Sequence, residues 1–164
     1  IMAVAICNFV GARNVVITDI NDYRLSLAKE LGATKIINTS KNSIEEFYTQ
    51  LNITNGFDVG LEMSGNPDAF NSMLEHMYHG GEIALLGLLP KSTSINWDNI
   101  IFKGLKVKGI YGREMFETWY KMTQMLKSGL DISKVLTHRF SIDNFEEAFD
   151  IIKSGNCGKV VLEW

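Results

Sequence analysis

The sequence predicts an α/β protein built on a doubly wound parallel sheet, and three patterns support this prediction. Short apolar runs of strand length alternate with amphipathic segments of helix length along the chain. The run at 15–17 leads to an acidic residue, Asp19, at the position where open α/β sheets bind their ligands. The run at 82–89 is almost continuously apolar, which is typical of a strand buried on both faces.

The composition is that of an ordinary globular protein, with 164 residues, 46% of them hydrophobic and 21% charged. The net charge of −3 and the absence of a Lys/Arg cluster argue against a nucleic-acid surface. No apolar run approaches the roughly 20 residues of a membrane span, and no signal-peptide pattern is present. Two distant cysteines, Cys7 and Cys157, indicate neither a disulfide framework nor a zinc cluster. We expect a cytoplasmic protein with no nucleic-acid or membrane partner.

The first segment, residues 1–10, is almost wholly apolar and predicts a buried helix that Gly11 ends. A helix of this kind that leads into a strand is the second element of a βαβ unit. We expect the first strand and a glycine-rich phosphate-binding turn to lie upstream, in a larger protein of which this chain is a fragment.

The next strand, at residues 15–17, places Asp19 at its carboxyl end. A carboxylate there accepts hydrogen bonds from both hydroxyls of an adenosine ribose and repels a 2′-phosphate, which favours NAD over NADP. The alternative is that Asp19 is a helix N-cap or turn residue, since Asn21 and Asp22 lie nearby. The residue alone leaves both interpretations open.

A helix, a strand and a second helix follow. Leucine and alanine at helical spacing predict a helix over 23–31, and the short apolar run at 35–38 predicts a strand. Ser43 stands three residues before Glu46, which is the spacing of a capping box and predicts a helix over 43–51.

The middle of the chain repeats this alternation. The segment 57–64 predicts a strand because apolar residues alternate along it, at Val59, Leu61 and Met63. Asn66 is a typical N-cap and Pro67 suits the first turn of a helix, which the pattern extends over 67–79. A pair of glycines then turns the chain into the strand at 82–89.

The last third of the chain begins with one or two helical turns at 98–103. The segment 105–111 alternates apolar residues with lysine, which predicts a strand with one wetter face at the edge of the sheet. A helix, a strand, a helix and a final strand complete the chain, at 116–128, 135–140, 144–153 and 159–162.

Several stretches together resemble the cofactor half of the medium-chain, zinc-dependent alcohol dehydrogenase superfamily. They are GARNVVITD, then FDVGLEMSG with GGEIALLG after it, and the terminal SGNCGKVVLEW. Two further stretches resemble the threonine dehydrogenase branch of that superfamily. They are FKGLKVKGIYGREMFETWYKM and THRFSIDNFEEAFDIIKSG. The resemblance covers the whole chain and implies a Rossmann-like fold that lacks its first strand and Gly-rich turn.

The resemblance implies an oxidation of L-threonine by NAD, with hydride transfer to the nicotinamide and zinc polarising the alkoxide. The family's zinc ligands and proton relay belong to an N-terminal catalytic domain. None of those positions exists in this chain, so we assign it no catalytic residue and no metal ligand.

The resemblance also implies which residues contact NAD. Asp19 matches the ribose-binding acid, and Arg24 matches a basic residue that borders the adenine-ribose site. The family has a loop under the nicotinamide ribose, and its residues correspond to Leu86, Gly87 and Leu88 here. A glycine in that loop allows the backbone to approach the cofactor. The family residues that contact the nicotinamide end correspond to Ile110 and Tyr111. The resemblance also places Ser64 and Gly65 on the cofactor side.

Each of these residues has a structural alternative. Arg24 could be a solvated helix charge, Gly87 a strand kink and Tyr111 a core aromatic residue. His138 could be read as a proton shuttle, although we interpret it as a structural histidine.

The resemblance implies an NAD-binding Rossmann domain over 1–112 and a C-terminal segment over 113–164 that returns to the absent catalytic domain. In full length we expect a homotetramer that pairs the edge strand at 106–111 across a two-fold axis. In the isolated chain, the apolar side chains of Phe145, Phe149, Ile152 and residues 160–164 should lack their partner.

Three other functions stay open. One is the cofactor domain of another zinc-dependent secondary alcohol or polyol dehydrogenase. Another is a non-enzymatic nucleotide-binding module. The last is a methyltransferase in which Asp19 holds the ribose of S-adenosylmethionine, although the GKVVL ending argues against it.

Overall fold

The computed structural model describes all 164 residues of the chain. The chain divides into two compact units, one formed by Ile1–Glu46 with Trp119–Trp164 and the other by Phe47–Thr118. Every strand pairing in both units is parallel, as the alternation of strands and helices predicts. No helix combines the length and the apolar character needed to pass through a membrane.

The order of the elements follows the predicted alternation closely. In chain order the helices and strands are α1 (Met2–Phe9), β1 (Val16–Asp19), α2 (Asp22–Glu30), β2 (Lys35–Asn38), α3 (Tyr48–Leu51), β3 (Phe57–Glu62), α4 (Pro67–His76), β4 (Met77–Leu85), α5 (Trp97–Lys103), β5 (Lys106–Gly109), α6 (Glu117–Lys127), β6 (Leu136–Ser141), α7 (Phe145–Ser154) and β7 (Lys159–Glu163). Short 3-10 helices lie at Glu45–Phe47, Ser133–Val135 and Ile142–Asn144.

The first unit contains two parallel strand pairs, β1 with β2 and β6 with β7. The apolar helix α1 packs against β1 and α2, and it buries Val4 completely. Each such aliphatic side chain stabilises the fold by about 1.5–3 kcal/mol when it leaves water. The core of this unit is formed by Val4, Ala5, Val15, Leu27, Ala28, Leu31, Leu130 and Val135.

The second unit is a parallel sheet in the order β3–β4–β5, with β4 in the centre. Helix α4 begins as the sequence predicts, because Asn66 Oδ1 accepts hydrogen bonds from the backbone N–H groups of Asp68 (2.9 Å) and Ala69 (3.0 Å). The core of this unit is formed by Phe70, Leu74, Met77, Ile83 and Leu105. The register pairs Glu62 with Leu85 and Leu85 with Gly109, so the three strands end in one row.

Strand β3 faces the opposite way from what its apolar alternation suggests. Its buried residues are Gly60 and Glu62, while Val59, Leu61 and Met63 are exposed in this structure. The reason is that the face carrying Gly60 packs against Met73 of α4, where a Cβ atom at position 60 would lie only 2.7 Å from the Met73 sulfur. Of the two charged residues of the strand, Asp58 is exposed and Glu62 lies inside.

The helix predicted at 43–51 is only partly present. A 3-10 turn, Glu45–Phe47, is followed by the single helical turn of α3. Half of the predicted capping box forms, since the backbone N–H of Ser43 donates to Glu46 Oε1 at 3.2 Å.

The boundary between α4 and β4 differs from the predicted one by three residues. Helix α4 ends at His76 and β4 starts at Met77, so the predicted glycine turn lies inside the strand. Met77 pairs with Phe57 but Glu82 pairs with Val59, and the additional residues of β4 form a bulge in which Gly80 adopts φ +76°. Strand β4 also ends earlier, at Leu85 rather than residue 89.

Candidate functional site

Asp19 is the last residue of β1, at the carboxyl edge of the first unit's β1–β2 pair. Its Oδ1 accepts hydrogen bonds from the backbone N–H groups of Ile20 (2.7 Å) and Asn21 (2.9 Å). Its Oδ2 has no hydrogen-bond partner within the chain. One carboxylate oxygen therefore shapes the turn after β1, and the other is available to a ligand.

Helix α2 begins beside Asp19, but Asn21 is its N-cap. Asn21 Oδ1 accepts a hydrogen bond from the backbone N–H of Arg24 at 3.1 Å, and its Nδ2 donates to the carbonyl of Gly155 at 3.3 Å. The Arg24 side chain lies on the exposed first turn of α2 and has no carboxylate partner in the chain. Its position next to Asp19 is compatible with the predicted role, and a solvated helix charge is equally compatible.

The start of α1 lies close to the same two charged residues. The charges of both Asp19 and Arg24 act on the backbone nitrogen of Ile1, which is half-buried. The N-terminal end of a helix carries a positive partial charge that favours anions. The first unit thus brings together a strand's carboxyl end, a half-free carboxylate and a helix start, which is the arrangement that binds dinucleotides in open α/β sheets.

A buried amide, Asn38, supports the turn after Asp19. Asn38 is the last residue of β2 and its Nδ2 donates to the carbonyl of Ile20 (3.2 Å) and to Asp22 Oδ1 (2.6 Å). Its Oδ1 accepts from the backbone N–H (3.0 Å) and the hydroxyl (2.6 Å) of Ser40. The hydrogen bond from Lys41, and secondarily the one from Asn38, lowers the pKa of the Asp22 carboxyl. Sequence reasoning missed Asn38, although an Asn two residues before Ser is a typical turn signal.

The second unit collects the other predicted residues at the carboxyl edge of its sheet. The backbone N–H groups of Leu86 (2.9 Å) and Gly87 (3.2 Å) both donate to the carbonyl of Glu62 at the end of β3. The backbone N–H of Ile110 donates to the carbonyl of Leu85 at 2.9 Å. The residues that follow β4 and β5 therefore lie at the same edge of this sheet, as parallel strands require.

Two of the predicted residues are almost fully exposed in this structure. Leu88 is 93% exposed and Tyr111 is entirely so, which means that Tyr111 is not a core aromatic residue here. Large apolar side chains at this exposure have surface that a ligand or another part of the protein can bury.

Gly87 lies two residues after the end of β4 and packs against a turn. A Cβ atom at position 87 would overlap Glu62 Oε2 and the backbone nitrogen of Gly65. Gly65 has φ +69°, and a Cβ atom there would lie 2.8 Å from the carbonyl oxygen of Leu88. The turn at 64–65 and the loop at 86–88 thus contact each other directly, and this contact is a structural reason for glycine at 87.

Glu62 lies beneath this contact, and the sequence analysis did not select it. The residue is 2% exposed, and its Oε1 accepts hydrogen bonds from the backbone N–H (2.8 Å) and hydroxyl (2.5 Å) of Ser64 and from the backbone N–H of Gly65 (3.0 Å). Its Oε2 is buried and has no hydrogen-bond partner. Its signal in the sequence is a charged residue within a strand-like apolar run.

No group of three His, Cys, Asp or Glu side chains in the chain could hold a metal ion. His138 lies in the first unit, where its Nδ1 is 2.9 Å from the Thr137 hydroxyl and its ring stacks on Phe140. These contacts support the interpretation of His138 as a structural residue.

Comparison with curated proteins finds close relatives. The L-threonine 3-dehydrogenase of Paraburkholderia phymatum is 63% identical over 164 residues, which are all of this chain and 48% of the relative. The chain thus spans about half the length of the curated relatives that it matches.

Comparison with solved structures confirms the fold. The 2R,3R-butanediol dehydrogenase of Bacillus subtilis superposes with a TM-score of 0.86 at 24% identity, covering 98% of this chain and 46% of that one. A short chain alcohol dehydrogenase from Escherichia coli CFT073, complexed with the cofactor NADH, gives a TM-score of 0.84 at 21% identity, covering 98% and 48%. The predicted Rossmann-like α/β fold with parallel strands is therefore confirmed.

A family model described as zinc-binding dehydrogenase matches residues 1–128, which is most of the chain. The match includes β1 with Asp19 and the loops that follow β3, β4 and β5. The sequence resemblance, the fold and this match agree, and the chain belongs to the zinc-binding dehydrogenase family.

Proposed function

We propose that this chain is the NAD-binding portion of an L-threonine 3-dehydrogenase, an enzyme that oxidises L-threonine to 2-amino-3-oxobutanoate with NAD. The observation that carries the proposal is the 63% identity, over the whole chain, with the L-threonine 3-dehydrogenase of P. phymatum. Because the chain spans 48% of that relative, we propose that residues 1–164 alone do not catalyse the reaction.

In this proposal Asp19 and Arg24 bind the adenosine end of NAD. The free Oδ2 of Asp19 accepts a hydrogen bond from a ribose hydroxyl, while Oδ1 keeps its two backbone donors. The negative charge of Asp19 opposes a 2′-phosphate and so favours NAD over NADP. Arg24 lies in the first turn of α2, where its guanidinium can border the adenine-ribose moiety.

The nicotinamide end is assigned to the loop residues of the second unit. Leu86 and Gly87 are held by hydrogen bonds to the end of β3, and Ile110 by one to the end of β4. Leu88 and Tyr111 contribute exposed side chains that the nicotinamide riboside would cover. The support for these assignments is their common position at the carboxyl edge of the β3–β4–β5 sheet.

Zinc, which the family name implies, supplies a Lewis acid for alcohol oxidation when it is bound. The residues of this chain do not fit a zinc site, because no suitable group of His, Cys, Asp or Glu side chains exists. We therefore propose that the zinc ligands and the proton relay belong to a catalytic domain outside residues 1–164.

The domain division, cellular location and assembly also stand as proposals. Residues 1–112 would form the cofactor domain and residues 113–164 would return to the catalytic domain. The full-length protein would be a cytoplasmic homotetramer in which strand β5 pairs across a two-fold axis. Support for the last point is that β5 is an edge strand whose residues are all exposed.

Steady-state kinetics of the full-length protein test the proposed function. We expect kcat/KM with NAD to be at least about a hundredfold higher for L-threonine than for sorbitol, because a site with hydrogen bonds to the substrate's amino and carboxylate groups rejects analogues that lack them. A preference for sorbitol would support a polyol dehydrogenase instead. NAD binding without oxidation of either compound would support a nucleotide-binding module.

A further inference from the structure

Glu62 joins the two loops at the carboxyl edge of the second unit's sheet. Its carboxylate oxygen Oε1 accepts from Ser64 and Gly65, and its backbone carbonyl accepts from Leu86 and Gly87. We propose that Glu62 is a positioning residue that fixes the 86–88 loop for the nicotinamide end of NAD. This inference rests on the proposed function, which assigns that loop to the cofactor.

The Glu62 carboxylate holds the turn at 64–65 through one of its two oxygens. Oε1 receives three donors, at 2.8 Å from Ser64 N, 2.5 Å from Ser64 Oγ and 3.0 Å from Gly65 N. Hydrogen bonds to an ionised oxygen are shorter and stronger than those between neutral groups. The turn at 64–65 is therefore held close to the end of β3 by one oxygen atom.

The turn at 64–65 in turn supports the proposed cofactor loop. Gly65 and Leu88 approach so closely that a Cβ atom at position 65 would lie 2.8 Å from the Leu88 carbonyl oxygen. Gly87 lies directly over Glu62 Oε2 and the nitrogen of Gly65. A displacement of the turn would thus move the backbone of residues 87–88, which the proposed function places under the nicotinamide ribose.

The unpaired Oε2 shows that Glu62 holds the turn at a cost to the stability of the fold. This oxygen is buried, has no hydrogen-bond partner and faces the unsubstituted Cα of Gly87. A buried acceptor without a partner destabilises the native state. An apolar residue at the end of β3 would avoid this cost, but it would leave the donors of Ser64 and Gly65 unpaired and the turn free to move.

Ligand binding by full-length Glu62→Gln protein tests the inference. NADH and ADP serve as probes, because ADP carries the adenosine and both phosphates but no nicotinamide riboside. We expect Glu62→Gln to weaken NADH binding by about tenfold, since a neutral acceptor holds the turn less firmly, and to leave ADP binding within about twofold. In kinetics the KM for NAD should rise while the KM for threonine stays unchanged.

Glu82→Gln is the matched control. Glu82 lies on the neighbouring strand β4, and its exposed carboxylate pairs with Lys106 at 2.8 Å. The same charge is removed in both variants, but only Glu62 contacts the loops. We expect Glu82→Gln to bind NADH and ADP as the wild type does, within about twofold.

Ser64→Ala provides a second variant in case Glu62→Gln does not fold. It removes the hydroxyl of an exposed residue, which donates to Glu62 Oε1 and accepts from the backbone N–H of Asn66 at 3.1 Å. We expect NADH binding to weaken by about threefold with ADP binding unchanged, because the backbone N–H groups of Ser64 and Gly65 still donate to Oε1 when the hydroxyl is lost. Equal losses of NADH and ADP affinity in Glu62→Gln, or unchanged NADH affinity in both variants, would overturn the inference. Failure of the wild-type protein to bind either probe would overturn the proposed function, and the inference with it.

Discussion

At the scale of single residues, Asp19 illustrates how one carboxylate serves a turn and leaves capacity for a ligand. Its Oδ1 accepts from the two backbone N–H groups that follow, while Oδ2 has no partner in the chain. The sequence offered a turn role and a ribose role as alternatives, and the structure makes them compatible. The two roles can be separated by a substitution that changes charge without removing Oδ1.

We predict that Asp19→Asn in the full-length protein reduces kcat/KM for NAD by about tenfold and raises activity with NADP. The asparagine retains an oxygen for the Ile20 and Asn21 N–H groups, so the turn should persist and the Tm should stay near the wild-type value. The loss of negative charge removes the repulsion of a 2′-phosphate. Steady-state kinetics with both cofactors and a thermal melt measure these effects.

Asp58→Asn is a suitable control for that experiment, because Asp58 is an exposed carboxylate of β3 that takes no part in the proposed site. It should leave the ratio of NAD to NADP activity unchanged. An Asp19→Asn protein with wild-type preference for NAD would show that Asp19 is only a turn residue.

At the scale of elements, the loop after β2 is stabilised by a network centred on Asn38 and Asp22. The network links the end of β2 to the first turn of α2 and to the carbonyl next to Asp19. The exposed pair of Asp22 and Lys41, with 2.6 Å between Oδ2 and Nζ, completes it. Because Lys41 and Asn38 both form hydrogen bonds with Asp22, a change in either partner changes the pKa of the Asp22 carboxyl.

We predict that Lys41→Met raises the pKa of the Asp22 carboxyl toward its ordinary value, as an NMR pH titration would measure. The folded pKa of Asp22 is depressed, so its contribution to stability exists above the unfolded pKa and disappears as the pH falls through the folded one. In the Lys41→Met protein, the free energy of unfolding should therefore fall less as the pH is lowered. The change in stability should be small because both side chains are exposed.

Lys153→Met removes a comparable exposed pair, with Asp150 at 3.3 Å, and serves as the control. The pKa of Asp22 should not respond to it. An unchanged Asp22 titration in Lys41→Met would show that Asn38 alone sets this pKa.

At the scale of the whole molecule, the chain leaves several apolar side chains exposed. Phe145, Phe149 and Ile152 are each about half exposed, and their spacing places them on one face of α7. The sequence predicts that these residues lack a partner when the catalytic domain is absent. Exposed apolar surface of this kind favours association in solution.

We predict that residues 1–164 alone self-associate, with a sedimentation coefficient that rises with concentration in analytical ultracentrifugation. Phe149→Glu should reduce the association, because it places a charge in the centre of the apolar face of α7. Lys153→Glu changes a charged residue of the same helix and should have little effect. A monomer that is independent of concentration would contradict this prediction.

Much of the fold was predictable because its signals are local. The spacing of apolar residues located the strands, and Asn66 followed by Pro67 located the start of α4. The β4 bulge was not predictable, because it depends on pairing between Phe57 and Met77. The orientation of β3 was misleading, because its alternating apolar residues suggested a buried face that is exposed here.

The candidate site was predictable to a lesser extent. Asp19 follows directly from a strand that ends in an acidic residue. Glu62 was missed because it belongs to the face of β3 that the apolar alternation assigns to solvent. Asn38 was missed because two of its partners, Ile20 and Asp22, come from a different loop and become neighbours only when β1 and β2 pair.

The hydrogen bond from Asn21 to Gly155 has a consequence for synthesis, since it joins residues 134 positions apart. At translation rates of roughly 5–20 residues per second, the Asn21 amide emerges on the order of ten seconds before its carbonyl partner has been made. The loop beside Asp19 therefore completes its folding only after Gly155 has been made. Ribosome stalling shortly before Gly155 is added would leave nascent chains with this loop unfinished, although β1 and β2 are already available to pair.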